Sequence, residues 1–325
     1  GRAGLPRLQI ALDLWGNDRF GRLLARDIGS EADFALWGYN NSSEVAFAAG
    51  RARGRPCVLD RTNGDFRAYN AAMAALREDY GAWFLAHEAA VSERIIAREA
   101  REHALADRIL VGSDFAARTV RDHAETPEIA AKVQVLEYCF DAHAFRDVPP
   151  PQPARRGEPV RFLFLGLAIP RKGIHHVLEA IAQLPASEAS LTVVGKVGVP
   201  ASMLAKYADR ITYVPTVPRA DVPGIMARHD VLLFPSYFEG AGIVLYEALA
   251  AGLGLIQSDR AALAVTPDTG ELLGEISTEA LLAAMRRVIA DRDLLAHWRT
   301  SAPTAARRYD FAGYVERIAR VVSDL

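Results

Sequence analysis

What the 325-residue chain lacks narrows it first. It has two cysteines, Cys57 and Cys139, without metal-ligand spacing, so two ordinary buried thiols in a reducing cytoplasm are expected rather than a disulfide framework. No charge-free apolar run reaches the ~18 residues of a membrane helix; the longest candidate, 241–256, is interrupted by Glu247 and by glycines. The opening residues GRAGLPRLQ have no apolar core of the kind a signal peptide carries. A strong charge bias is missing too: a net charge of −2 argues against attraction of nucleic acid or anionic membrane over the whole surface. Arg2, Arg7, Arg19, Arg22 and Arg26 crowd the amino end, and a solvated, arginine-rich surface is the plain reading. A cytoplasmic protein is expected, with no nucleic-acid partner and with room only for peripheral contact at the inner membrane surface. There is no internal repeat, no low-complexity tract and no GxxxxGK[ST] phosphate loop. His87, His103, His143, His175 and His176 show no metal spacing and read as structural or exposed, so no metal is expected.

What is present is alternation. Half of the residues are hydrophobic and 24% are charged, as in ordinary globular proteins, and this length favours two domains. β-rich runs at 33–39, 56–60, 108–113 and 132–138 alternate with helical periodicity, including a long segment at 86–106. Arg98, Arg101 and Glu102 in that segment suggest a solvated, salt-bridged face. The stretch VPPPQPARRGEP (148–159) cannot continue a helix or a central strand and reads as a linker. After it come strands at 160–166, 190–195, 210–215, 230–236 and 253–258, a helix at 174–184, another around Glu247, and a helical tail from 278 to 325. The pattern predicts an α/β protein with an amino-terminal domain over 1–147 and a second over 160–325 built on buried parallel strands. Ligands of such sheets bind beyond the carboxyl ends of the strands.

Two stretches sit at such ends. In FLGLAIPRKGIHHVL, Gly166 closes a strand, and Arg171, Lys172 and Gly173 immediately precede a helix. Amides at a helix start beside two cations suit a diphosphate, although a surface turn with two exposed cations is an equal alternative. In FPSYFEGAGIVLYEALAAG, Glu239-Gly240-Ala241-Gly242 follows a strand, and Ile243 opens the helix that carries Glu247. Glycines let a ligand approach the backbone, and two acids in apolar surroundings could accept hydrogen bonds from separate hydroxyls of one ligand. The bland alternative makes Glu239 a turn residue and Glu247 a complement to the helix dipole. GAGIVL lacks the third glycine of the dinucleotide fingerprint, so a nicotinamide site is a weak reading.

The spacing E-x7-E in EGAGIVLYE, followed by ALAAG, resembles the signature of family 4 retaining glycosyltransferases of the GT-B fold. The order strand–Gly166–PRKG, LTVVG, RITYVP, DVLLFPS–EG and LGLIQSD is similar to that family's nucleotide-binding domain from Val160 onward. EHALADRILVGSDFAARTV and VLEYCFDAHAF (135–145) resemble its amino half more weakly. The resemblance implies two Rossmann-like domains with parallel sheets facing a central cleft, the last helix packing back on the amino domain through YDFAGYVERIARV. It implies a UDP- or GDP-linked sugar as donor, a glycan, lipid-linked or small-molecule acceptor, and no separate cofactor. Glu247 would bind the ribose hydroxyls. Glu239 and the amides of Gly240, Ala241, Gly242 and Ile243 would face the transferred sugar and the diphosphate, with Gly166 beside them. Lys172, helped by Arg171, would neutralise the leaving phosphate, and the base would lie at Val214, Pro215 and on to Val217. Retention would follow front-face displacement, without a protein nucleophile or metal.

The chain also departs from that pattern. Leu167 stands where many members have arginine, and EGAG replaces EGFG. Asn63 or Asp65 in LDRTNGDF occupies the place of a cleft histidine, with Asn63-Gly64 also an ordinary turn signal. No amino-terminal glycine-rich loop is evident, so this domain reads as short or incomplete. Residues 8–28 would replace the loop, with Trp15, Gly16 and Asn17 lining an acceptor cleft unless Trp15 packs in the core. Alternatives to a transferase are a sugar-nucleotide epimerase of the same fold and a non-catalytic binder of nucleotide sugars or a partner chain.

Overall fold

The computed structural model describes residues 5–28, 34–86, 88–149 and 157–325. The chain folds into two compact units: Gly1–Ala71, His87–Glu137 and Arg317–Leu325 form the first, Ala72–Ala86 and Tyr138–Glu316 the second. Most of the expected linker, 150–156, lies outside the described residues, as does His87.

The first unit carries four parallel strands in the order of the chain: β1 (Leu36–Tyr39), β2 (Cys57–Arg61), β3 (Arg108–Val111) and β4 (Val133–Val135). β2 and β3 are apolar on both faces, and Val58, Leu59, Ile109 and Leu110 are fully buried. Cys57 is a buried free thiol whose pKa burial pushes up to about 11. The helix expected at 86–106 is shorter, Glu93–Leu105. Before it, the Asn70 side-chain amide holds the backbone of Val91 in both directions, Nδ2 to the carbonyl and Oδ1 from the N–H, each at 2.9 Å. The face read as solvated is only partly so: Arg101 is exposed, while Arg98 and Glu102 are buried. Glu102 accepts the backbone N–H groups of Asn41, Ser43 and Glu44 at 2.6, 2.8 and 3.2 Å, which fixes the turn after β1. Three residues earlier, Glu99 pairs with the fully buried Arg61 and accepts the Phe66 N–H at 3.3 Å. Arg61 in turn donates to the Gly64 carbonyl at 2.7 Å, fixing the turn after β2. Glu102, which sequence suggests is a solvent group, is thus spent on loop backbone, as Glu99 is in part, and this needs burial to be worthwhile.

The second unit has six parallel strands ordered β10-β9-β8-β5-β6-β7, with β5 (Val160–Leu165), β6 (Ala189–Val194), β7 (Ile211–Val214), β8 (Val231–Phe234), β9 (Gly254–Gln257) and β10 (Gly270–Leu272). Only β10 was not expected. Helices Ile174–Ala182 and Thr278–Ala290 pack on one face through Ile174, Leu178, Leu281 and Met285; Ile243–Ala250 and Arg292–Ala306 pack on the other through Leu245, Leu249 and Ala302. The chain winds from β5 to β7 in one direction and from β8 to β10 in the other, so the topological switch lies between β5 and β8. That crevice is where open α/β sheets bind ligands.

A buried charge pair closes the opposite end of β8. Asp230 is fully buried and accepts from the Arg161 backbone N–H and Nε at 2.9 and 3.0 Å and from its Nη2 at 2.7 Å. Arg299, 3% exposed, reaches the same carboxylate at 2.8 Å. Removing the carboxylate would take away the one buried acid that Arg161 and Arg299 share there. Asp230→Ala is therefore expected to cost about 3–5 kcal/mol in urea unfolding of the second unit, and a loss below about 1 kcal/mol would contradict this account.

Candidate functional site

Two loops meet at the switch point because side chains are absent where they cross. β6 ends at Gly195, whose φ of 129° is left to glycine, and a Cβ there would lie 2.1 Å from the Gly166 carbonyl oxygen at the end of β5. Four residues beyond Gly166, Pro170–Lys172 form a 3-10 turn closed by Gly173 at φ 70°. A Cβ on Gly173 would meet the Pro235 carbonyl oxygen at 2.2 Å, so the turn can lie directly on the chain leaving β8. Leu167, which stands where many members of the resembled family have arginine, is exposed.

The crossing delivers two cations to one acid. Glu239 Oε1 takes Lys172 Nζ at 2.7 Å and an Arg171 Nη1 at 2.9 Å. Arg171 also donates to the Phe238 carbonyl, and its own carbonyl accepts the Tyr237 N–H at 2.8 Å. Lys172 lies with its stem against Gly166 and its Nζ 5.4 Å from the Phe234 ring centroid. All three charged side chains are mostly buried but retain an exposed fraction, 19% for Arg171, 15% for Lys172 and 11% for Glu239, so a ligand can reach them.

Glu247 is held differently. It sits on the helix Ile243–Ala250, which starts after Gly242 at φ 86°. Burial pushes its carboxyl upward, the neighbouring Arg219 pulls it down and Asp141 pushes it up again. Arg219, in the turn after β7, donates from Nη2 to Glu247 Oε1 at 3.0 Å. Of the helix's first amides, that of Leu245 donates to the Gly242 carbonyl at 2.9 Å, and those of Ile243 and Val244 precede this bond. Ala241 is buried, and its carbonyl accepts the Ala262 N–H at 2.9 Å. Val214 ends β7, and Pro215 begins the exposed loop toward Arg219. A groove bordered by Thr192, Thr212, Val214, Val217 and Asp221 flanks that loop, and neither acid lines it.

The structure thus brings Arg171, Lys172, Glu239 and Gly166 together and puts Glu247 with Arg219 and Asp141. The amino-terminal candidates fare unevenly. Asp65 is fully buried, and its carboxylate accepts from the Arg67 N–H, Nε and Nη2 at 2.8, 3.1 and 2.8 Å. Those Arg67 bonds outweigh burial and hold its pKa below the usual range. It starts a helix and exposes no surface, its carboxylate being taken up by Arg67, which corrects its reading as a cleft residue. Asn63 is exposed in the turn after β2. Trp15 lies on the helix Leu5–Asp27 and is 60% exposed, so core packing, the plainer reading of the two, does not hold for it. Among the described residues no group of three or more His, Cys, Asp and Glu is placed to hold a metal ion, and no helix is long and apolar enough to cross a membrane.

Sequence reasoning missed the layer beneath the loop. Thr278 donates to Glu179 at 2.7 Å, so it accepts from His176 Nδ1 at 2.8 Å, which leaves His176 Nε2 to accept from Tyr237 at 2.7 Å. This chain of bonds anchors Tyr237, two residues before Glu239. Beside it His175 is fully buried among the rings of Tyr80, Trp83 and His176, and neither of its nitrogens has a hydrogen-bond partner among the described residues. Only the adjacent histidines of GIHHVL hinted at this layer.

The chain has the GT-B fold, with two α/β units on parallel sheets. Residues 146–305, almost the whole second unit, match the family model described as Glycosyl transferases group 1. The lipopolysaccharide glucosyltransferase WaaG of Escherichia coli K12 is 30% identical over 170 residues, 50% of this chain and 46% of that protein. The D-inositol 3-phosphate glycosyltransferase of Mycobacterium marinum is 28% identical over 168 residues, 46% of this chain and 34% of that protein. The matches therefore span less than half of each of these relatives. Anabaena HepE in complex with UDP-glucose superposes with a TM-score of 0.69 at 16% identity, covering 94% of this chain and 82% of that one, a likeness of fold.

Burial lowers the pKa of His175 to about 3 and that of His176 to about 4 from an ordinary 6.5, with the His176 charge adding to the effect on His175. Both rings take up protons on unfolding in that interval, so their stabilising effect is complete above pH 6.5 and declines as the pH falls toward 4. The melting temperature of the second unit is expected to fall between pH 7 and 4, and His175→Phe should flatten the fall. An equally steep pH dependence in His175→Phe would count against this assignment.

Proposed function

We propose that the protein is a retaining glycosyltransferase of family 4 that uses a nucleotide-sugar donor. The reading is carried by the Arg171–Lys172–Glu239 cluster at the β5/β8 crevice, with Glu247 on the following helix, inside the segment that matches the glycosyltransferase family. Two cations against one carboxylate leave net positive charge where a diphosphate would lie, and neither cation has used all its donors. As the bond to the sugar breaks, negative charge grows on the β-phosphate, and Lys172 and Arg171 stabilise it without needing to move far. Glu239 then does two things: it preorganises the cations and offers an oxygen to a hydroxyl of the transferred sugar. Glu247 takes the ribose hydroxyls, and the loop from Val214 to Val217 borders the base. The protein adds positioning and charge stabilisation, with front-face attack by the acceptor hydroxyl and no metal in the scheme. A glycan, lipid-linked or small-molecule acceptor in the cytoplasm, reached at the membrane surface if lipid-linked, completes the proposal. The UDP-glucose complex of HepE and the lipopolysaccharide substrate in the name of WaaG are of this class.

A thermal-shift screen with UDP, GDP, dTDP and their sugars should raise the melting temperature with one base. Glu247→Ala should weaken that nucleotide about tenfold to a hundredfold in calorimetry, the worth of a hydrogen bond to a charged group; unchanged affinity would remove Glu247 from the site. Lys172→Ala should lower turnover about 10²–10³-fold. Conversion of the donor without an acceptor would show an epimerase instead, and no product from any donor would show a binder.

A further inference from the structure

Both acids of the site are tied by one oxygen only. Glu239 receives Arg171 and Lys172 on Oε1, and Glu247 receives Arg219 on Oε1; no described residue hydrogen-bonds to Oε2 of either. For Glu239 the tethering cations belong to the proposed phosphate clamp. Arg219 belongs to nothing assigned so far. It rises from the turn Arg219–Asp221, the loop beside the proposed base region, and its side chain is 73% exposed while that of Glu247 is 13% exposed. An exposed arginine spent on a half-enclosed carboxylate loses rotamer freedom, and an ordinary surface pair returns little for that loss. Held by its tip alone, it fixes the direction of the acid that it touches.

We infer that Arg219 is a positioning residue for the ribose site: through Oε1 it orients Glu247, so that Oε2 is presented to a sugar hydroxyl of the nucleotide. This rests on the reading of Glu247 given above. An ionised carboxylate only accepts hydrogen bonds, and its two oxygens offer about four lone-pair sites, so one oxygen can stay on the guanidinium while the other takes the hydroxyl. The need for a cation there is local. The charged groups acting on Glu247 are Arg219, which favours the carboxylate, and Asp141, which with burial opposes it. Without Arg219 the acid would keep only the two influences that favour its protonated form. Its affinity for ribose would then be lost at a higher pH, since binding is present above the carboxyl pKa and fades as the pH falls through it.

The test uses the full chain with UDP and GDP as probes, titrated calorimetrically between pH 5.5 and 8.5, in the parent, Arg219→Ala, Arg219→Lys, Glu247→Gln and the double variant Arg219→Ala with Glu247→Gln. Arg219→Ala should weaken the bound nucleotide about threefold to tenfold, more at the acid end of this range than at the alkaline end, with Arg219→Lys close to the parent. In the Glu247→Gln background the arginine substitution should change affinity by less than about twofold, because its route of action is gone. An Arg219→Ala effect undiminished in the Glu247→Gln background would show that Arg219 contacts the nucleotide itself and would overturn the inference. So would an Arg219→Ala protein that binds as the parent does while Glu247→Gln binds weakly, which leaves the ribose reading of Glu247 standing. If Glu247→Gln binds as the parent does, or neither diphosphate binds at all, the ribose reading falls and takes the inference with it.

Discussion

Everything at the proposed site depends on how closely two loops can approach. The turn that carries Arg171 and Lys172 rests on the carbonyl of Pro235, and the end of β6 rests on the carbonyl of Gly166. Any side chain at Gly173 or Gly195 would force these backbones apart. With the backbones apart, Lys172 and Arg171 would no longer reach Glu239, and the charge cluster would dissolve into separate surface residues. The steric condition comes first and the electrostatics follow from it.

The cluster also resolves a physical difficulty in an apolar setting. An isolated carboxylate among buried residues would be protonated or would destabilise the fold. Here each acid has a cation, and each keeps an oxygen available. A charged group can therefore be held in this apolar setting without the full cost of burying it. The layer below, from Glu179 through Thr278 and His176 to Tyr237, holds the acid-bearing loop from within the fold.

Much of this was legible in the sequence for simple reasons. Buried parallel strands are written as short apolar runs, and nine of the ten described strands fall in runs that periodicity alone picks out. The exception, β10, is three residues long and has the mixed composition of a sheet edge. The loop residues Gly166, Arg171, Lys172 and Glu239 were legible because strand ends of an α/β sheet are known places and chain order is enough to find them. What the sequence could not supply were partners distant in the chain. Arg219 is 28 residues from Glu247, and nothing local distinguishes it from its neighbours. Asp65 looks like a cleft residue until Arg67 closes on it. Arg98 and Glu102 read as a solvated face because helix periodicity shows which residues share a side, not what covers that side.

The helix Glu93–Leu105 in the first unit grips two turns at once, one through Glu102 and one through Glu99 and Arg61. Such a shared anchor restricts how the unit can change in evolution. Altering the backbone of either turn would mean altering a carboxylate one helical turn from the anchor of the other, so both would shift together. Variation is left to the exposed side chains that the turns display, Thr62 and Asn63 among them. New surface chemistry would then arise by exchanging these outward groups on a fixed frame, much as a lock is rekeyed without recasting its housing.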